Sequence, residues 1–132
     1  MERALTQAIS AYMIEVYPYE QERPKVAVFD TKQFQEKTGS RYFSGTYLIQ
    51  EDLIAFRYEG RGTPLPSTVA HEIEHWQQAR RVGLGRYLEQ LQDIKTYLAY
   101  ERSANEVSLH NAPRLKWWEW TYAAPCPACG ET

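Results

Sequence analysis

"LPSTVAHEIEHWQQARR", residues 65–81, is the stretch that decides the fold. It places His71 and His75 four residues apart with Glu72 and Glu74 between them, so it reads both as His-Glu-x-x-His and as the reversed His-x-x-Glu-His. Ahead of it, "GRGTPLP" (60–66) is a loop by its glycine and proline content. Ser67 directly after that loop is the expected N-cap, and Gly83 is the expected end, of a helix over roughly residues 68–82. At about 100° per residue the two imidazoles project about 40° apart and roughly 6 Å along the axis, so both can reach one ion. Val69, Ile73 and Trp76 fall on the opposite side and are expected in the core, leaving the histidines facing a cleft. Glu72 and Glu74 flank the histidine face at equal angles, so helical geometry alone does not choose between them.

A zinc ion used for catalysis takes three protein ligands and keeps one position open. The spacing of Leu91, Ile94 and Leu98 makes an apolar stripe on a second helical stretch, about Arg86 to His110 with a break near Thr96. The next position on that stripe is Glu101. A carboxylate on such a face is costly unless paired, and a metal ion on the facing helix would answer that cost. Glu106 lies about 140° further round and is expected in solvent. Ala104, one turn beyond Glu101, is small enough for two helices to approach closely.

The rest of the chain frames this pair. Residues 2–17 carry Leu5, Ile9, Tyr12, Met13 and Val16 at helical spacing and stop at Pro18. "KVAVFD" (25–30) reads as a strand. "RYFSGTYLI" and "LIAFRYE", separated by Gln50-Glu51-Asp52, read as a hairpin. The expected fold is α+β, a compact domain with an N-terminal helix, a small mainly antiparallel sheet, the histidine helix and a following helix that carries the third ligand. Residues 1–122 form one domain in this reading, and 123–132 a tail. "LKWWEWTY" suits a strand or an extended segment laid on the body.

At 132 residues with 43% apolar content, the chain has the material for one core. A formal charge of −2 gives no footprint for phosphate backbones or anionic membranes, so nucleic acid is an unlikely partner. Neither a secretory signal nor an apolar run of about 20 residues is present, and the expectation is a cytoplasmic protein with no membrane partner. Cys126 and Cys129 stand in the terminal "CPACG", half of a zinc-ribbon knuckle. His110 could add a third ligand there, or a second chain could close the site in a homodimer; a truncated or decayed ribbon is the equal alternative.

His71-Glu72-x-x-His75 followed by Glu101-x-x-Ala104-Asn105 resembles the small gluzincin-type zinc metallopeptidases. It is similar in particular to compact phage- and mobile-element-associated members related to the repressor-cleaving metallopeptidases. The likeness covers about residues 41–110 in element order and, residue by residue, the two short motifs. It implies a zincin-like fold, Zn²⁺ held by His71, His75 and Glu101, and peptide hydrolysis with Glu72 as general base. Families with the reversed motif are larger chains with a more distant third ligand, so the resemblance favours Glu72 over Glu74. It also implies an oxyanion helper, for which Tyr97 and Tyr100 are candidates, although packing suits either. A peptide or protein substrate would lie extended along the hairpin's edge strand. The alternative is a non-enzymatic, zinc-stabilised module that contacts a protein or nucleic acid through the aromatic tail and the knuckle.

Overall fold

A computed structural model describes residues 1–40, 42–60, 63–116, 118 and 120 of the chain. Helix α1 (Glu2–Val16) buries Leu5, Ala8, Ile9, Tyr12 and Met13, the 3-4 spaced face expected of it. Strand β1 (Lys25–Asp30) runs directly into α2 (Thr31–Thr38). Asp30 caps α2 by accepting from the Gln33 amide at 2.8 Å, and the Gln33 side chain accepts from the Asp30 amide in return. Gly39 ends it with φ 76°, a left-handed conformation in which glycine carries no penalty.

Strands β2 (Gly45–Leu48) and β3 (Leu53–Tyr58) follow, joined by a 3₁₀ turn over Ile49–Glu51. The order across the sheet is β1-β3-β2. β2 pairs antiparallel with β3, but β1 pairs parallel with β3, in register from Lys25 opposite Leu53 to Asp30 opposite Tyr58. The sheet is therefore mixed rather than mainly antiparallel. The cause is α2: a parallel pair needs a crossover, and this helix lies on the connection that turns the chain back before β3 takes the centre. The central position explains why Ile54, Ala55 and Phe56 are all buried.

Helix α3 (Pro66–Val82) lies against this sheet and carries the histidines. Its inner face, Val69, Ile73, Trp76 and Ala79, is buried with α1 and β3 residues in one cluster. α4 (Leu84–Gln90) and α5 (Ile94–Asn111) complete the described helices. The break expected near Thr96 falls at 91–93, where Asp93 caps α5 by accepting from the Thr96 amide at 3.0 Å and its hydroxyl at 2.8 Å. Beyond α5, Leu115 and Trp120 are buried, and the Trp120 indole donates to the Pro64 carbonyl at 3.0 Å. Trp118 and Trp120 have helical backbone, not the extended form expected of the aromatic tail. Among the described residues, no helix is long and apolar enough to cross a membrane.

Candidate metal centre

α3 begins one residue before Ser67. Pro66 occupies the first turn and Leu65 the cap position, with no side-chain cap. Proline suits this place because its fixed φ is already helical and its missing N–H would have had no partner. Ser67, expected as the cap, instead offers its carbonyl to the Ser108 hydroxyl at 2.7 Å, which ties the first turn of α3 to α5.

On the outer face of α3, His71 Nε2 and His75 Nε2 come within 3.0 Å of each other. Glu101 reaches them from α5, with Oε2 3.3 Å from His71 Nε2 and Oε1 2.9 Å from His75 Nε2. Among the described residues, these three form the one group of imidazoles, thiols or carboxylates close enough to hold a metal ion. Two imidazole lone pairs and a carboxylate at such range repel unless a cation or proton sits among them. Tetrahedral zinc with Zn–N of about 2.05 Å sets its nitrogen ligands about 3.3 Å apart, close to the spacing found. Two nitrogens and one carboxylate suit a borderline cation and leave one tetrahedral position free.

Glu101 arrives here, but not by the stripe that pointed to it. Ile94 is 65% exposed and Leu98 52% exposed, so the apolar face leading to Glu101 is outside the core. The buried residues of α5 are Ala104 and Ser108, at 3- and 7-residue spacing from Glu101. Glu101 sits where the exposed stripe crosses onto the packed face, and Ala104 beside it lets α5 lie close on α3. Glu106 is exposed, as expected.

The two glutamates of the overlapping motifs separate by what flanks α3. Glu74 turns toward α1, where it accepts from the Tyr17 hydroxyl at 2.9 Å and pairs with Arg81 at 3.1 Å. Glu72 turns toward β2 and lines the cleft that also holds His71, His75 and Glu101, a cavity of about 610 Å³. Burial pushes the Glu72 carboxyl up to about 8 and the charge of Glu101 adds to this, while a hydrogen bond from the Tyr47 backbone amide opposes it. Burial also holds His71 below its ordinary value, reinforced by His75 and opposed by Glu101 and by a side-chain hydrogen bond with Asn105. A neutral imidazole is the form that ligates a metal.

β2 is the cleft-side edge strand of the sheet. It approaches α3 so closely that a Cβ on Gly45 would stand 2.8 Å from both the Phe56 ring and the Thr68 methyl. The Tyr47 amide is already given to Glu72, so a substrate strand running along this edge would find one donor fewer than an open edge provides. Tyr97 lines the cleft, while Tyr100 does not; it bonds to Gln90 and tilts its ring against Tyr87, which does.

Sequence reasoning did not find Gln78 and Tyr87. Gln78 Oε1 lies 3.0 Å from His75 Nδ1 and accepts from the Tyr87 hydroxyl at 2.7 Å; that hydroxyl is itself 3.2 Å from His75 Nδ1. The available signal was position: Gln78 stands three residues after His75, one turn further along the same face. Cys126 and Cys129, with the tail 123–132, lie outside the described residues, and His110 is exposed near the end of α5. No protein-family profile, curated protein or solved structure matches the chain.

Proposed function

We propose that the protein is a zinc-dependent metallopeptidase of the gluzincin type, cleaving a peptide or protein substrate with Glu72 as general base. The observation that carries this reading is the convergence of His71, His75 and Glu101 from two helices into one cleft, with a further buried carboxylate, Glu72, in the same wall. A module that binds zinc only for stability has no use for that fourth group. Zinc, if held by His71, His75 and Glu101, would supply Lewis acidity that lowers the pKa of a water and polarises a carbonyl. Glu72, steadied by the Tyr47 amide, takes the proton of the attacking water and returns it to the leaving amine. Without a metal its carboxyl stands at about 8, and a nearby cation draws it downward, toward the range that suits a group shuttling a proton near neutrality.

The test is metal analysis combined with a broad peptide-cleavage screen. About one zinc per chain, cleavage by the wild type, and loss of cleavage with zinc retained in Glu72→Gln are the expected results. Zinc binding with no cleavage of any peptide would favour the non-enzymatic module. Absence of bound transition metal would overturn both.

A further inference from the structure

Gln78 is buried, with 3% of its surface exposed, and its side chain is held at both ends. The Nε2 group donates to the backbone carbonyl of Tyr100 at 3.0 Å. A carbonyl can only accept, so this contact decides which end of the amide is nitrogen and aims Oε1 at His75. Oε1 in turn can only accept, so the His75 nitrogen facing it at 3.0 Å, Nδ1, must carry the proton. The Tyr87 hydroxyl, donating to the same Oε1 at 2.7 Å, is spent there and does not protonate the ring from the other side. His75 is thereby left with its lone pair on Nε2, the atom that faces His71 and Glu101.

We propose that Gln78 is the positioning residue of the metal centre: one amide fixes the ligating tautomer of His75 and ties it to the backbone next to the third ligand. Tyr100 immediately precedes Glu101 in α5, so the Gln78 bridge holds ligands on two different helices in one arrangement. An uncharged amide does this without adding a negative charge to a site that already contains Glu72 and Glu101. Partners of metal-bound imidazoles commonly set ligand orientation and contribute roughly 10–100-fold in metal affinity. The inference rests on the metal-centre reading for its affinity arm, but its tautomer arm applies to the metal-free protein.

The experiment compares wild type, Gln78→Leu, Gln78→Glu and Tyr87→Phe by zinc titration against a chromogenic chelator and by ¹H–¹⁵N spectra of the histidine side chains. In the metal-free wild type, His75 is expected in the Nδ1–H form. Gln78→Leu should lose that preference and bind zinc roughly 10–100-fold more weakly. Gln78→Glu keeps the acceptor for His75 but loses the tie to the Tyr100 carbonyl, so it should keep the Nδ1–H tautomer and bind zinc more weakly than the wild type; loss of that tautomer in Gln78→Glu would overturn the proposal. Tyr87→Phe should leave the tautomer as in wild type. Should Gln78→Leu not fold, Gln78→Glu and Tyr87→Phe still decide. The proposal is overturned if His75 carries its proton on Nε2 in the wild type, if Gln78→Leu keeps both tautomer and affinity, or if Tyr87→Phe alone converts the ring. A wild type that binds no zinc but shows the Nδ1–H form, lost in Gln78→Leu, would sink the metal reading and leave the positioning role intact.

Discussion

Glu72 and Glu74 are two residues apart and meet different surroundings in this fold: Glu72 lines the cleft, and Glu74 pairs with Tyr17 and Arg81. The two histidines could be read from spacing alone; Glu101 could not, because the apolar stripe that points to it is exposed, and neither could the separation of Glu72 from Glu74. It depends on which neighbour each side of α3 meets, and the wheel does not contain α1 or β2. Glu74→Gln keeps an acceptor for Tyr17 but gives up its charge against Arg81, whose side chain is half exposed. The expected loss is about 1–2 kcal/mol in urea denaturation, with zinc content unchanged. Glu72 behaves differently in the metal-free protein. Its carboxyl is raised from 4.5 to about 8 in the folded state. Between those values the folded chain holds more protons at this site than the unfolded chain, so stability falls as pH rises through the window. His71, held low by burial, works in the other direction: its contribution rises with pH until the unfolded imidazole has lost its proton. The difference between wild type and Glu72→Gln isolates the first effect. After chelator treatment, the wild type should lose stability relative to Glu72→Gln between pH 5 and 8, and parallel curves would refute the raised carboxyl.

Among the elements, those with strong apolar periodicity were legible and those defined by caps or small residues were not. α1 and α3 stand where their 3-4 spacing puts them. α2 was invisible to periodicity because "TKQFQEKT" has one apolar residue, Phe34, although the Asp30–Gln33 capping box marks its start. Missing it cost the sheet topology as well, since the parallel pairing of β1 depends on that connection. The break before α5 differs from the expected place for a related reason: α4 ends at Gln90 and Asp93 caps α5 without glycine or proline between them to advertise it. Asp93→Ala removes two hydrogen bonds and should destabilise the chain by about 1 kcal/mol. Gly45→Ala should cost more, about 1–3 kcal/mol, because the added methyl overlaps the Phe56 ring and Thr68 and must push β2 away from α3. β2 also supplies the amide that holds Glu72, so on the proposed metallopeptidase reading this variant should lose peptide cleavage beyond what its stability explains. Cleavage at the wild-type rate in folded Gly45→Ala would show that the strand does not need this approach.

At the scale of the molecule, the candidate centre lies across the joint between α3 and α5, so a metal ion held there would be coupled to the packing of the two helices. His71 and His75 alone are a two-ligand platform on a rigid helix, and Glu101 is the group that makes the site span the joint. The small face of α5, Ala104 and Ser108, brings the backbones together, and the bond from Ser108 to the Ser67 carbonyl fixes the far end of the contact. A ligand that binds only the folded arrangement stabilises it by mass action, so a chelator should lower the melting temperature of the wild type. Glu101→Ala removes the third ligand but leaves Ala104 and Ser108 in place. It should therefore keep the fold of the metal-free protein, hold zinc much more weakly, and show almost no change in melting temperature on chelation. Glu106→Ala, on the solvent side of the same helix, should reproduce the wild type in both measurements. The comparison separates a site built by the joint from one built by α3 alone. If Glu101→Ala still binds zinc tightly and still responds to chelator, the ion is held by the histidines and some group other than Glu101. The α5 carboxylate would then be an ion-pair partner of the imidazoles rather than a ligand.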